Sequence, residues 1–466
     1  MKTIDTEFLI IGGGPAGLGA ALRLEEKGRE WHLVEAEHQF GGLSSSFVDG
    51  KGFTWDCGGH VHFSHYDTFD RYMDLALGPD GWFSHERESW VWVKDRFVPY
   101  PFQNNLHRLD PADRERCIEG LRAVSAIRNP QSAIRNFREW ILQTFGEGVA
   151  ELFMIPYNWK VWGYPPETMD YRWIGERVAV PKLAEVLCSV ETGKDSVSWG
   201  PNNKFRFPKF GGTGSIWVSL GARLPGPRIT LGARATRVDA RAQTVTAGGK
   251  VCHYSHLIST MPLDRLVAIT RGPVNRDKAA ALVFSGVHVV GVGLDGPTPE
   301  HLRTKCWMYF PEPSSPYYRV TLFSHYSPNN CPEPDTQWSL MAEVAESPVK
   351  PVDRKRIAED VVNALVRDGL IPDRGKVCSV ATRFLPYAYP TPFLGRDAVV
   401  DPILASLEHL DIYSRGRFGA WKYEVGNQDH SFAQGYECVE RIVSHGGPEM
   451  EPTLNQPDVV NSRRNP

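Results

Sequence analysis

Residues 6–17 read Thr-Glu-Phe-Leu-Ile-Ile-Gly-Gly-Gly-Pro-Ala-Gly. A short apolar run, Phe8–Ile11, ends in a G-x-G-x-x-G pattern at Gly12, Gly14 and Gly17. A helical pattern follows from Leu18 to Glu26 and stops at Gly28; a second apolar run, Trp31 to Val34, ends in Glu35. Each part has a task in holding a dinucleotide. Gly12 permits the tight turn, Gly14 lets the backbone approach a pyrophosphate, and Gly17 lets the helix pack close to the strand. The helix N-terminus offers free N–H groups and a partial positive charge to the phosphates. Glu35 can accept hydrogen bonds from a ribose diol. A lone G-x-G-x-x-G is weak, because an ordinary glycine turn reads the same. Strand, motif, helix, strand and acid in register point to a bound dinucleotide.

Just past the acid, Gln39-Phe40-Gly41-Gly42-Leu43 leads into Ser44-Ser45-Ser46. Paired glycines let the chain pass closely under a second part of the cofactor, where side chains must be absent. The segment resembles the flavoprotein family that includes amine oxidases and protoporphyrinogen oxidase; the doublet is not expected in nicotinamide dehydrogenases, so the resemblance favours a flavin as the tightly held group.

Composition bounds the rest. A chain of 466 residues is too long for one compact core and suits two or three domains. A formal net charge of −3, with no long charge run, gives no basic face for nucleic acid. The 8 cysteines are scattered with no C-x-x-C pair, so neither zinc nor a disulfide framework is indicated and a reducing cytoplasm is expected. The first strand begins within a few residues of Met1, which leaves no room for a signal peptide. No apolar stretch is long enough to span a membrane.

Organisation follows from changes of period. Ile229 to Val238, Thr244 to Ala247 and His256 to Ser259 read as returning strands of the sheet that Phe8–Ile11 begins. Pro111 to Val190 reads as helical, with amphipathic stretches at Asp113–Ile127 and Phe137–Thr144. Residues 286–345 are dominated by alternating and aromatic strands. The tail after Gly446 carries Pro, Asn and charge without periodicity and is read as loose.

Three further segments narrow the family: Asp56-Cys57-Gly58-Gly59-His60-Val61-His62-Phe63-Ser64-His65-Tyr66, Val98-Pro99-Tyr100-Pro101-Phe102-Gln103-Asn104-Asn105, and residues 414–431, Ser-Arg-Gly-Arg-Phe-Gly-Ala-Trp-Lys-Tyr-Glu-Val-Gly-Asn-Gln-Asp-His-Ser. With Phe153–Trp162, Gly175–Ala179, Phe205–Pro208 and Tyr318–Thr321, they resemble the UDP-galactopyranose mutase family, in its fungal and protozoal form, in order over nearly the whole chain. The resemblance implies an α/β fold: a Rossmann-like FAD-binding domain with a helical insert domain and an antiparallel β-sheet substrate domain, all discontinuous. The expected boundaries are 1–85 with 206–285 and 405–446 for FAD, 105–200 for the insert, 86–104 with 286–404 for the substrate sheet, and 447–466 for a flexible tail.

The resemblance also implies the chemistry. The family interconverts UDP-galactopyranose and UDP-galactofuranose without net redox change, through a covalent adduct between reduced flavin N5 and the sugar. NADPH is the implied reductant, and homo-oligomerisation stays open. Arg177 and Arg319 match the family's pyrophosphate arginines, as suits a guanidinium that stays charged and grips phosphate in a fork. Tyr309, Tyr389 and Tyr423 match its phosphate-contacting tyrosines, with Trp307 on the same strand as Tyr309 and Tyr326 at a pocket position. Tyr100, Phe102 and Gln103 suit the uridine end; Asn158 and Trp162 match ribose and base contacts, and Asn202 a further substrate contact. His60, matched to the loop against the isoalloxazine, joins the two arginines as a catalytic candidate, with Arg87 beside it. Gly12, Gly14, Gly17, Glu35, Gly41, Gly42, Ser44, Val238, Arg417, Gly426, Asn427, Gln428 and Ser431 complete the expected FAD site, Asn427 also reaching the substrate. The bland readings are structural ion pairs for the arginines and core packing for the tyrosines.

Two stretches depart from the family pattern, His62 and Gly163-Tyr164-Pro165-Pro166. Both are expected near the sugar or its flap. The alternatives are the same chemistry on another nucleotide sugar, a net oxidase of the amine-oxidase type, and a flavin binder without catalysis.

Overall fold

The computed structural model describes residues 3–126, 134–175, 177–197 and 203–462. Asn202 therefore lies outside the described residues. Phe8–Ile11 is buried at every position and forms the middle of a five-stranded, all-parallel sheet. Its strand order is Ile229–Thr230, Trp31–Val34, Phe8–Ile11, His256–Ser259, Ile412–Ser414. A parallel sheet is covered on both faces, which is why Phe8–Ile11 reads as a continuous apolar run. The helices Pro15–Glu26 and Gln428–Val443 pack against each other beside it.

The expected returning strands divide between two sheets. Ile229–Thr230 and His256–Ser259 join Phe8–Ile11, but Ala235–Asp239 and Thr244–Ala247 belong to a second five-stranded sheet with Thr3–Asp5, Lys250–His253 and Thr270–Arg271. The expected continuous strand from Ile229 to Val238 breaks after Thr230, where Gly232 takes a φ of +68° and turns the chain.

A seven-stranded sheet stands against this unit. Its order is Val377–Pro390, Phe284–Asp295, Gln337–Glu346, Arg319–Leu322, Trp307–Tyr309, Ser89–Val93, Arg96–Pro99. All its pairings are antiparallel except Trp307–Tyr309 with Ser89–Val93. The helices Pro111–Ser125, Phe137–Val149, Ile155–Trp162 and Leu183–Thr192 share one hydrophobic core with this sheet.

The segment expected to be loose docks instead. Glu451 is fully buried against Arg415, which is itself fully buried, with bonds of 2.5 and 2.8 Å, and against Arg441 at 2.6 Å. Val460 is also fully buried. This anchor is an ion cage between short helical turns, so it leaves no apolar period to read. Among the described residues no helix is long and apolar enough to cross a membrane.

Candidate active site

A cavity of about 1110 Å³ lies between the parallel sheet, the helical insert and the seven-stranded sheet. At one end its wall is main chain. Gly12, Gly14, Pro15 and Ala16 present the start of the helix Pro15–Glu26, and Gly14 as N-cap offers no side chain to the free N–H groups. Glu35 reaches the cavity already oriented: its Oε2 accepts from Gly13 N at 2.5 Å and its Oε1 from Glu37 N at 2.8 Å. Each carboxylate oxygen keeps a lone pair for a diol. Gly42 and Ser44 line the same end. Gly41 does not reach it but donates to Gly13 O at 2.9 Å, tying the doublet to the turn. Gly17 is also outside the lining; a Cβ there would fall 1.8 Å from Gly12 O, so only glycine lets this helix meet its turn.

Val238 is a miss. It is fully buried in its strand, and the cavity wall is made instead by Ala233, Arg234 and Ala235.

Gly426, Asn427, Gln428 and Ser431 line the cavity at the start of the second helix. That helix begins at Gln428, with Asn427 as N-cap. The Gln428 side chain accepts from Trp217 Nε1 at 3.0 Å. Arg417 donates to Ala388 O at 2.9 Å and Gly426 O at 3.0 Å, and lies over the rings of Tyr389 and Tyr423.

His60 borders the cavity with its Nδ1 buried and unpartnered. Burial depresses its pKa to about 4, with Arg417 and Arg319 adding to the effect and Glu343 opposing it, so the ring is neutral near pH 7. A Cβ at Gly59 would stand 3.0 Å from Arg319 Nη2, so this loop lies bare under the guanidinium.

The two arginines differ. Arg319 makes a bidentate pair with Glu343, Nε to Oε2 at 2.5 Å and Nη2 to Oε1 at 2.9 Å. Glu343 is buried and also accepts from Tyr318 Oη at 3.0 Å. Arg177 has no carboxylate within ion-pair range among the described residues. Its Nη2 donates to Glu424 O and to Asn461 Oδ1 at 2.9 Å, and its Nη1 to Trp173 O at 3.4 Å.

Aromatic rings close this end. Trp162 meets Tyr423 at 4.7 Å and Tyr389 at 5.6 Å edge-on, and the Tyr389 hydroxyl lies 3.2 Å from that of Tyr318. Tyr309 accepts from Trp307 Nε1 at 2.6 Å and packs on Tyr100. Arg87 lies over the Tyr100 ring. Asn158 donates to Met154 O at 2.7 Å. Gln103 is buried; its Nε2 is bonded to Ala179 O while its Oε1 has no partner. All of these side chains line the cavity.

Phe102 and Tyr326 do not. Phe102 is fully buried against Phe153, on the far side of a turn whose Tyr100 and Gln103 face the cavity. Tyr326 packs among Phe205, Phe207 and Phe323. For these two the packing reading wins. Neither departure from the family pattern lines the cavity: His62 stacks between Phe69 and Trp82, and Tyr164 donates to Phe284 O at 3.1 Å.

The sequence reading missed Glu343, Tyr157 and Asn461, all on the cavity wall. Glu343 left a signal, a carboxylate midway along the apolar strand Gln337–Glu346. His65, Asp429 and His430 form a buried cluster with the ligand types of a metal site. Here, however, His65 Nδ1 already bonds Asp429 Oδ2 at 2.7 Å, and the two imidazoles stack face to face at 4.8 Å. A stacked pair turns ring faces, not lone pairs, toward its neighbour, so this is a hydrogen-bonded pair with a second ring against it.

The site thus joins a dinucleotide cradle to a pocket of arginines and aromatic rings. Residues 15–402 match the family of flavin containing amine oxidoreductases. The fold is shared with a putative protoporphyrinogen oxidase from Exiguobacterium sp. 255-15 (16% identity, TM-score 0.72, 95% of this chain and 99% of that one). It is shared too with a putrescine oxidase (16% identity, TM-score 0.63, 95% and 100%). At 45% identity and a TM-score of 0.94, a reduced UDP-galactopyranose mutase matches 99% of this chain and 100% of its own. The chain belongs to the UDP-galactopyranose mutase family.

Proposed function

We propose that this protein is an FAD-dependent isomerase that interconverts UDP-galactopyranose and UDP-galactofuranose without net redox change. One observation carries the reading. The dinucleotide cradle opens into the same cavity as Arg177, a cation with no carboxylate in ion-pair range among the described residues. A purely oxidative amine site has no need to hold a second diphosphate beside that of FAD.

The cradle suits FAD. Glu35 would receive the ribose diol, the two helix starts at Gly14 and Asn427 would serve the phosphates and ring carbonyls, and His60 Nδ1, without a partner among the described residues, would be a further polar contact. When bound and reduced, the flavin supplies a nucleophilic ring nitrogen for the anomeric carbon. The protein must then retain UDP after the glycosidic bond breaks. Arg177 and Arg319 supply positive charge for this, and Tyr309, Tyr389 and Tyr423 supply neutral donors. Gln103 Oε1, a free acceptor, suits the imide N–H of uracil, with Tyr100 as an apolar surface beside it. Asn158 and Trp162 adjoin the nucleoside.

We also infer the fungal and protozoal form of the family, with NADPH as reductant and the cytoplasm as setting. The ordered motif matches support the first two, and eight free thiols support a reducing compartment.

The test incubates chemically reduced protein with UDP-galactofuranose and separates the nucleotide sugars by chromatography. UDP-galactopyranose should form without stoichiometric oxygen uptake, and denaturation should release FAD. Oxygen consumed in step with product would favour the oxidase reading. No conversion of this sugar, with turnover of another, would move the substrate.

A further inference from the structure

The C-terminal segment reaches the candidate site at Asn461. Its anchor is the Glu451 cage with Arg415 and Arg441, reinforced by Thr453, which bonds Glu437 through both its N–H and its hydroxyl at 3.0 and 2.7 Å. From there the short helix Pro457–Asn461 buries Val460 and sets Asn461 on the cavity wall.

Asn461 uses both halves of its amide. Its Oδ1 accepts from Arg177 Nη2 at 2.9 Å, and its Nδ2 donates to Glu424 O at 3.1 Å and Pro457 O at 2.8 Å. Among the described carboxylates, those of Glu424, Asp429 and Asp458 favour the charged form of Arg177, Glu424 the most. The Glu424 carboxylate is turned into a two-bond pair with Arg396, at 2.6 Å each, and is spent there. Three uncharged oxygens, from Asn461, Glu424 O and Trp173 O, therefore hold the Arg177 guanidinium. Of its five N–H donors, Nε–H and one on Nη1 have no partner among the described residues.

We propose that Asn461 is a positioning residue for Arg177. It fixes the guanidinium at the cavity wall with a neutral acceptor, so the cation keeps its charge and two donors for the diphosphate of the bound nucleotide. An aspartate at this position would cancel the charge, and its second oxygen, with no N–H to give, would face Glu424 O and Pro457 O. The proposal rests on Arg177 being a diphosphate ligand.

The experiment titrates UDP into the flavin-loaded, full-length protein by calorimetry. It compares Asn461→Ala, Asn461→Asp, Arg177→Ala and the two double variants, with flavin content and Tm measured for each. Asn461→Ala should raise the UDP Kd about tenfold, the scale of one weakened charge-assisted contact. Asn461→Asp should raise it further, and more steeply at low salt. Flavin content and Tm should match the parent. In the Arg177→Ala background neither change should add anything. An unchanged or tighter Kd in Asn461→Ala overturns the proposal. So does an equal loss with and without Arg177, which would mark a merely structural role. If Arg177→Ala itself binds UDP normally, the diphosphate reading fails and this inference falls with it.

Discussion

The two ends of the cavity are built by opposite means. At the cofactor end the wall is main chain, with glycines at Gly12, Gly14 and Gly42 and one acid, Glu35, all within a short stretch of sequence. At the substrate end the wall is side chain: arginines, tyrosines and amides drawn from residues as far apart as Tyr100 and Asn461. A main-chain wall is specified by what is missing, so adding an atom breaks it. A side-chain wall is specified by what is present, so removing an atom breaks it.

The largest effect is expected from adding one. In Gly17→Val the new Cβ would fall 1.8 Å from Gly12 O, and backbone cannot yield as a flexible side chain can. The helix must leave its strand and take the phosphate-facing N–H groups with it. Purified Gly17→Val should lack the flavin absorbance bands or fail to fold. Normal flavin content would refute a main-chain cradle.

Removing atoms at the other end should separate the two arginines. Arg177→Ala deletes a cation held by neutral oxygens and should cost turnover by more than about 100-fold, roughly two charge-assisted bonds, with flavin content and Tm retained. Arg319→Ala deletes half of a buried pair and strands Glu343, which is 2% exposed. That should cost about 3 kcal/mol of stability as well as turnover. Arg319→Met with Glu343→Leu should then regain Tm but not activity. A double variant as unstable as Arg319→Ala would mean that the pair does not explain the loss.

His60→Ala should come next in size. His60 borders the cavity and its Nδ1 has no partner among the described residues, so flavin should still bind while turnover falls. Because its pKa is depressed to about 4, turnover should show no titration of this ring between pH 5 and 8. A turnover step near pH 6.5 that vanishes in His60→Ala would contradict the burial argument.

The same contrast governs what could be read in the chain. Gly12 to Glu35 is legible because one contiguous segment forms strand, turn, helix and strand, and each part has a local physical requirement. At the substrate end Arg177 and Arg319 were reached only through resemblance, since no spacing rule brings a helical insert and a sheet together. Phe102 and Tyr326 were overcalled there: an aromatic side chain looks the same in sequence whether it faces a cavity or a core. Glu343 was missed although an acid in the interior of an apolar strand hints at a buried partner. Asn461 was missed because the cage of Glu451 with Arg415 and Arg441 joins residues distant in sequence and leaves no periodic trace.

His62 gives the smallest expected effect and the finest test of where the cavity ends. It stands two residues from His60, yet it faces away, stacked 4.9 Å from Phe69 and 5.1 Å from Trp82, with Nε2 buried and unpartnered. Burial lowers its pKa from 6.5 to about 3, with Arg206 adding to the effect. The sign follows from proton counting. Below about pH 6.5 the unfolded chain protonates this ring and the folded one refuses, so unfolding takes up a proton and stability falls as pH drops toward 3. The slope is at most about 1.4 kcal/mol per pH unit for one such group. His62→Phe keeps a flat ring between Phe69 and Trp82 and abolishes that uptake. Thermal melts from pH 6.5 to 5 should therefore decline less steeply in His62→Phe than in the parent. Some decline should persist, because burial also lowers His60 and His430 to about 4. Turnover near pH 7 should be unchanged, since His62 does not line the cavity. Parallel melting slopes would show that His62 is not the buried neutral ring argued for. A loss of turnover would place it on the reacting side of the loop.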